Sequence, residues 1–320
     1  MHTWASPRLP ANLVERLTVP VIAAPMFRVS GPDLVIAACA AGAMAAFPTG
    51  NIRTTAELDE WLTRVARAAK GAAVAPAPHC ANLTMNHLAL SEHLDCLLDH
   101  RVEVVITSLG SPAPAVEALH RVGSLIFSDV ATLGHARKAV DAGADGLVLL
   151  TTGSGGQTGW LNPFAFVRAV RDFFDGPVIL AGGLSDGVAL RAALELGADL
   201  GYVGTRFIAA KESMASEAYR TELVSASIDD IVLTSAFTGL PASFVRSTIV
   251  AAGLDPDALD EQVTPEIAEA VYGGGRNNTA TGPKRWTDIV SAGHSVSGVR
   301  AVEPARMIVE RLAAEFTGAA

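Results

Sequence analysis

The sequence is poor in several features that mark other classes of protein. Its three cysteines, Cys39, Cys80 and Cys96, are odd in number and form no CxxC pair, so we expect no disulfide framework and no structural zinc site. Aromatic residues make up 6% of the chain, Lys and Arg number 24 against 33 Asp and Glu, and no basic run occurs. The formal charge of −9 therefore argues against binding to nucleic acid or to an anionic membrane.

Long apolar runs are also missing. No stretch reaches the roughly 18 consecutive apolar residues of a membrane span, and the polar residues scattered through 1–17 predict no signal peptide. Together with the scarce cysteines, this predicts a cytoplasmic protein whose partners are small molecules.

Hydrophobic residues form 50% of the chain, and they recur in a regular order. Short β-rich runs alternate with Ala- and Leu-rich helical patterns. The predicted strands are 21–24, 43–47, 72–75, 102–107, 124–127, 146–150, 178–181 and 200–203, and the helices between them are 32–41, 55–69, 88–98, 113–120, 132–142, 163–174 and 186–196. Eight strands that alternate with helices predict an α/β fold, a TIM (β/α)8 barrel.

The pattern changes after residue 207. Residues 212–262 are mainly helical with a Gly-Leu-Pro break at 239–241, a glycine-rich loop is predicted at 273–282, and a last helix at 304–316. We therefore expect a barrel over 1–211, a small inserted helical subdomain over 212–283 that covers the barrel mouth, and a return to the barrel with a terminal helix over 284–320.

The predicted site is at the carboxyl ends of the strands, where the glycines cluster. Ala181, Gly182 and Gly183 follow the seventh strand, and Gly204 and Thr205 follow the eighth. Because glycine lacks Cβ, backbone N–H groups there can approach phosphate oxygens, so we favour a phosphate site over simple tight turns. The loop at 151–159 could lie against a flat ring, or it could be a flexible lid.

Six ordered motifs carry a family resemblance: PVIAAPM (20–26), GSGGQTG (153–159), AGGLSDG (181–187), GADLGYVGTRFIAAKES (197–213), LTSAFTGLPA (233–242) and SAGHS (291–295). Together they resemble the nitronate monooxygenases, formerly called 2-nitropropane dioxygenases. The resemblance implies an FMN-binding barrel without a metal. The residues it assigns to the cofactor are Ala24, Pro25, Met26, Asn82, Asp129, Gly156, Gln157, Ala181, Gly182, Gly183, Gly204 and Thr205.

Two positions depart from the family pattern. Gln157 stands where members active on nitronates usually carry a loop histidine, and Asp129 stands where close members tend to carry a lysine. An amide cannot exchange a proton near neutral pH as an imidazole can. Asp129 would repel an anionic substrate unless it is paired, for instance with Arg206 or Lys211.

The candidate catalytic residues are therefore Gln157, Asp129 and His294. His79 and His294 are the histidines placed in loops that could face the site, whereas the helical ones at 87, 93, 100, 120 and 135 are interpreted as solvated or core-edge residues.

The resemblance favours FMN-dependent oxidative denitrification of alkyl nitronates with O2. The alternatives are an NAD(P)H-dependent reductase of enoyl thioesters or quinones, a flavin-binding paralogue with altered chemistry, and a barrel that binds a sugar phosphate without flavin. The oligomeric state stays open.

Overall fold

The computed structural model describes residue 4, residues 6–273, residue 280 and residues 282–319. Its strands are β1 Val21–Ala23, β2 Met44–Pro48, β3 His79–Thr84, β4 Val104–Ser108, β5 Leu125–Val130, β6 Gly146–Leu150, β7 Gly156–Gln157, β8 Val178–Ala181, β9 Leu200–Val203, β10 Ile231–Thr234 and β11 Ala242–Val245. A closed barrel runs β1-β2-β3-β4-β5-β6-β8-β9 with parallel neighbours throughout. The predicted TIM barrel is confirmed.

Helices connect the barrel strands and cover the outside of the sheet. The helices of the described chain are α1 Ala11–Val14, α2 Pro32–Ala40, α3 Thr55–Gly71, α4 Leu90–Asp99, α5 Ala113–Arg121, α6 Leu133–Asp141, α7 Pro163–Arg171, α8 Gly187–Leu196, α9 Thr205–Ile208, α10 Glu217–Ser225, α11 Arg246–Ala251, α12 Pro265–Tyr272 and α13 Ala305–Thr317. Of these, α1 lies before the first strand, and α10 to α12 belong to the inserted segment. The terminal helix α13 packs between α2 and α8, and so closes the outer ring.

The inside of the barrel is filled by one face of the strands. Alternate residues point inward, and they form a buried cluster that includes Ile22, Met44, Phe127 and Leu200. Leu13 of α1 joins the same cluster, so α1 closes the end where the strands begin. A ligand can therefore enter from the opposite end, at the carboxyl ends of the strands, which we call the mouth.

The third strand is wrong in the prediction. The predicted segment 72–75 is exposed, with Val74 at 81%, and the strand is instead β3 at His79–Thr84. Pro76 and Pro78 follow the predicted run, and proline lacks the N–H that a central strand needs for its ladder. The apolar run at 72–75 is therefore a connection, and HCANLT forms the ladder with β2 and β4.

The inserted segment contains strands as well as helices. β10 and β11 pair antiparallel, and β11 also pairs with β7, which comes from the loop after β6. The insert is therefore joined to a loop of the barrel mouth, on the side where the lid was predicted. Most of the glycine-rich loop predicted at 273–282 lies outside the described residues.

Two findings concern the cysteines and the helices. The three cysteines are free and buried. Over the described part of the chain, no helix combines the length and the apolar character needed to cross a bilayer.

Candidate active site

Three glycines at the mouth, Gly182, Gly183 and Gly204, form what we call the glycine cradle. Gly182 has φ +111° and Gly183 has φ +71°, a conformation that L side chains rarely adopt. A Cβ at Gly182 would come within 2.6 Å of Thr151 Oγ1, so this glycine permits a close approach of two loops. A Cβ at Gly183 would meet no atom within 4 Å, so this glycine borders open space in which a ligand can lie.

The other side of the cradle is Gly204, the residue before α9. A Cβ there would lie 3.5 Å from Met26 Sδ and 3.7 Å from Ala24 Cβ, both in the segment after β1. Ser30 fixes that segment, because its Oγ accepts from Met26 N at 3.0 Å and donates to Ala24 O at 3.1 Å. The structure thus brings residues predicted to contact the flavin ring next to a residue predicted to hold the phosphate.

The loop after β6 is held in place by backbone pairing. Gly156 and Gln157 form β7 opposite Ser243 and Ala242 of the insert. Sequence patterns around 157 give no sign of this, because its partner is far away in the chain. The interpretation of 151–159 as a flexible lid is not supported, since two residues of the loop form the third strand of a small sheet.

A second segment, residues 291–294, which we call the clamp, holds the same loop from the other side. Gly156 N donates to Ser291 Oγ at 2.6 Å, and His294 N donates to Gly153 O at 2.9 Å. A Cβ at Gly153 would lie 2.8 Å from His294 Nδ1, so the imidazole packs directly against the loop. His294 therefore lies beside the mouth, as predicted.

The clamp is tied to the barrel and to the insert. Gly293 N donates to Thr205 Oγ1 at 2.9 Å. Tyr219 of α10 donates its hydroxyl to Ser291 O and accepts from Ser291 N at 3.3 Å, and burial raises the pKa of this tyrosine above its usual value. Sequence reasoning missed Tyr219 and Ser291 as positioning residues.

Asp129 is inside β5 rather than after it, because β5 continues to Val130. Two residues earlier on the same face, Phe127 is fully buried in the barrel interior, so the Asp129 side chain also points inward, nearer the mouth. The residue is half-buried, and its Oδ1 has no hydrogen-bond partner among the residues that the structure describes. Burial raises the pKa of Asp129 from 3.8 to about 7.

The suggested ion pairs of Asp129 do not form. Arg206 is directed at the outer ring, where it donates to Ser185 O at 3.2 Å and lies 3.6 Å from Glu315 Oε2. Lys211 is exposed at the surface. The interpretation that either cation neutralises Asp129 is wrong. Both residues come after β9 and lie outside the barrel interior, Arg206 against the outer ring and Lys211 at the surface.

Tyr202 lies beside Asp129 in the candidate site, and sequence reasoning missed it. It is on the face of β9 that carries the interior Leu200, and its hydroxyl is enclosed without a hydrogen-bond partner in the described chain. Burial raises the pKa of Tyr202 well above its usual value, and the nearby Asp129 carboxylate raises it further. Strand alternation within GADLGYVGTR was the signal that could have found it.

Two other predicted residues lie on β3. Asn82 is inside β3, where its Nδ2 donates to Ile106 O at 3.2 Å and its Oδ1 accepts from Ser108 Oγ at 3.2 Å. His79 begins β3, so it lies at the end of the barrel opposite the mouth, and burial lowers its pKa. The expectation that His79 could face the site is wrong, because it rested on the misplaced third strand.

The fold defines a class, the (β/α)8 barrels, whose ligand sites lie at the carboxyl ends of the strands. Within that class, the family model of nitronate monooxygenase matches residues 56–315. The chain belongs to the nitronate monooxygenase family and is therefore an oxidoreductase. This family is generally flavin-dependent.

Three proteins similar to this chain differ in their named activities. A nitronate monooxygenase of Paraburkholderia phytofirmans is 27% identical over 78% of this chain and 80% of its own. The (3aS,4S,5R,7aS)-5-hydroxy-7a-methyl-1-oxo-octahydro-1H-indene-4-carboxyl-CoA dehydrogenase of Mycobacterium tuberculosis is 29% identical over 76% of this chain and 68% of its own. A nitroalkane oxidase structure from Streptomyces ansochromogenes has a TM-score of 0.80 and 25% identity, covering 97% of this chain and 99% of its own.

Proposed function

We propose that this protein is an FMN-dependent oxidoreductase that oxidises alkyl nitronates with O2, releasing the nitro group and leaving a carbonyl product. The observation that carries the proposal is the glycine cradle: Gly182 and Gly183 both have positive φ, and the second of them borders open space. Backbone N–H groups of such glycines can approach a phosphate without hindrance from a side chain. The residues present therefore fit the phosphate of FMN.

The other residues assigned to the cofactor suit its flat ring. Ala24 and Met26 present small or flexible apolar surface next to Gly204, and the clamped loop around Gly156 adds a wall of glycine backbone. Bound FMN would supply the electron transfer between substrate and O2. The chain itself would bind and orient the substrate, and the insert that pairs with β7 would limit substrate size.

The test begins with the purified protein. A visible spectrum and identification of the flavin released by heat should give one FMN per chain. Propionate-3-nitronate under air should then drive O2 uptake and nitrite release. A colourless protein that takes up no FMN would refute the cofactor, whereas a yellow protein that leaves the nitronate unchanged would refute the reaction.

Asp129 favours a second candidate, an oxidoreductase of acyl or enoyl thioesters. Its carboxylate points into the same mouth without a pairing cation among the described residues, so it would repel an anionic nitronate. A thioester is neutral at its reacting carbon. The relative from Mycobacterium tuberculosis is named as a dehydrogenase of a carboxyl-CoA compound.

Anaerobic stopped-flow kinetics separate the two candidates. Rapid bleaching of the flavin by NADH or NADPH, followed by its reoxidation with an enoyl-CoA or a quinone, would support the reductase. Failure of both pyridine nucleotides and of a saturated acyl-CoA to reduce the flavin would leave nitronate oxidation as the proposed reaction.

A further inference from the structure

The surroundings of Asp129 suit a group that transfers protons, because one of its two carboxylate oxygens has no hydrogen-bond partner among the described residues. Its Oδ1 is enclosed, close to the mouth, and has no hydrogen-bond partner in the described ranges. In folded proteins buried polar atoms are nearly always paired, so an unpaired carboxylate oxygen calls for an explanation. A bound proton, or a substrate C–H group that gives up a proton to the carboxylate, would be the missing partner of Oδ1.

The groups that face Asp129 are neutral. Val148 of β6 lies beside it in register, and both point into the barrel. From β9 comes the Tyr202 hydroxyl, from β3 the buried Cys80 thiol lies deeper in the interior, and from β4 the Ser108 hydroxyl is engaged by Asn82. No cation among the described residues holds this carboxylate in its ionised form, and burial raises its pKa to about 7. A base with a pKa near the working pH is the most effective proton acceptor.

Other candidates for the base are weaker. Gln157 cannot accept a proton at neutral pH, and its backbone is fixed in β7. His294 packs against Gly153 through Nδ1, on the side of the loop where the clamp lies. It can be tested directly as the competing base.

We infer that Asp129 is the general base of this site, and that it removes a proton from a neutral carbon acid, a substrate whose C–H bond lies next to a nitro group or a thioester carbonyl. In this step the C–H bond breaks, the proton passes to a carboxylate oxygen of Asp129, and the electron pair stays on the substrate, delocalised into the nitro or carbonyl group. The step needs no oxidant. It rests on the proposed function only in placing the substrate in the same mouth.

Deuterium exchange measures this step without any oxidation. The protein is incubated without O2 in D2O with nitroethane, and loss of the α-proton signal is followed by NMR; a parallel sample contains butyryl-CoA, with deuterium uptake read by mass spectrometry. The background rate without protein is subtracted. We expect protein-dependent exchange of one of the two probes, which identifies the substrate class, at a rate that rises with pH and levels off above about 7.

Matched variants assign the exchange to one side chain. Asp129→Asn should lower the rate by about 100-fold or more, the usual contribution of a general base, and Asp129→Glu should restore part of it. Asp141→Asn removes the same charge from the exposed end of α6 and should exchange like the parent protein. His294→Gln tests the competing base, and its exchange should keep the parent pH profile, rising with pH and levelling off above about 7.

With pre-formed ethylnitronate, the effect of Asp129→Asn on the rate should have the opposite sign. The nitronate needs no deprotonation, so Asp129→Asn should oxidise it at least as fast as the parent protein, because the repelling charge is gone. Flavin content and circular dichroism confirm that each variant is folded.

The outcomes distinguish the two proposals. Absence of exchange of both probes in the parent protein, unchanged exchange in Asp129→Asn, or a loss of exchange in His294→Gln alone would overturn the assignment of Asp129. Exchange that depends on Asp129 in a protein that consumes no O2 with either nitro compound would instead refute the proposed oxidation and keep the base.

Discussion

Each end of the barrel holds an aspartate side chain, and the two differ in their hydrogen-bond partners. At the closed end, Asp199 just before β9 accepts from Ser6 Oγ at 2.6 Å, from Val178 N at 2.8 Å and from Arg171 Nη2 at 2.5 Å. At the mouth, Asp129 leaves Oδ1 unpaired within the described chain. A carboxylate that only stabilises the fold has all its partners in the protein, whereas one that serves a ligand or a reaction leaves room for it.

The largest expected effect is at the closed end. Asp199→Ala would leave the Arg171 guanidinium, whose side chain is 7% exposed, without its carboxylate. Breaking a buried ion pair by removing one partner should lower the free energy of unfolding by about 3–5 kcal/mol. Urea denaturation followed by circular dichroism measures this. A loss below about 1 kcal/mol would show that the Asp199 network is not what stabilises this end.

Removing the aspartate charge at the mouth should instead raise the free energy of unfolding. The folded-state pKa of Asp129 is raised from 3.8 to about 7, so the folded protein holds the proton more tightly, and stability falls as pH rises between these values. Asp129→Asn should therefore raise the free energy of unfolding at pH 8 by on the order of 2–4 kcal/mol and change it little at pH 4. Urea denaturation of the flavin-free protein at both pH values tests this, and a destabilised variant at pH 8 would contradict it.

A pair of glycines sharpens the comparison further. Gly183 at the mouth and Gly123, which precedes β5 at the closed end, both have positive φ, and a Cβ on either would meet no atom within 4 Å. Gly183→Val and Gly123→Val should thus lose similar stability from backbone strain. Only Gly183→Val should also weaken FMN binding, by about 100-fold or about 2.7 kcal/mol, because its side chain fills the proposed phosphate position.

Titration of each flavin-free variant with FMN, followed by flavin fluorescence, measures this difference. Equal affinities in the two variants would mean that the open space beside Gly183 does not hold the phosphate.

The smallest expected effect is at the clamp. Tyr219→Phe removes the hydroxyl that bonds Ser291, whose own Oγ accepts from Gly156 N. The loop then loses one of several supports, so we expect a stability loss of about 1 kcal/mol and a few-fold weaker binding of FMN. Thermal unfolding and the same FMN titration check it. A loss of all bound FMN would show that the clamp is part of the binding site rather than a support for it.

Local patterns predicted most of the barrel. β6, β8 and β9 have the predicted bounds, because each is a short apolar run that follows a turn with glycine or proline, namely Gly143, Gly176-Pro177 and Gly197. The prediction of the third strand is wrong because it rests on the apolar composition of 72–75 and neglects the two prolines that follow. β10 and β11 were missed in a region interpreted as helical, since each has four residues and is stabilised by its partner rather than by its own pattern.

The site was predicted in part. The glycine cradle follows from strand order and glycine chemistry, so its residues could be named from the sequence. The pairing of Gln157 with Ala242 and the isolation of Asp129 from Arg206 could not, because they depend on which distant segments meet. The unpaired hydroxyl of Tyr202 is likewise a property of the assembled interior.

The visible spectrum of the purified protein tests the central claim most directly, since the proposed oxidation assumes that the glycine cradle holds a flavin phosphate. The spectrum should show bound flavin, and heat should release FMN in a ratio of one per chain from the parent protein and from Gly123→Val but not from Gly183→Val. A colourless parent protein that binds no added FMN, or a Gly183→Val protein with full FMN content, would contradict it.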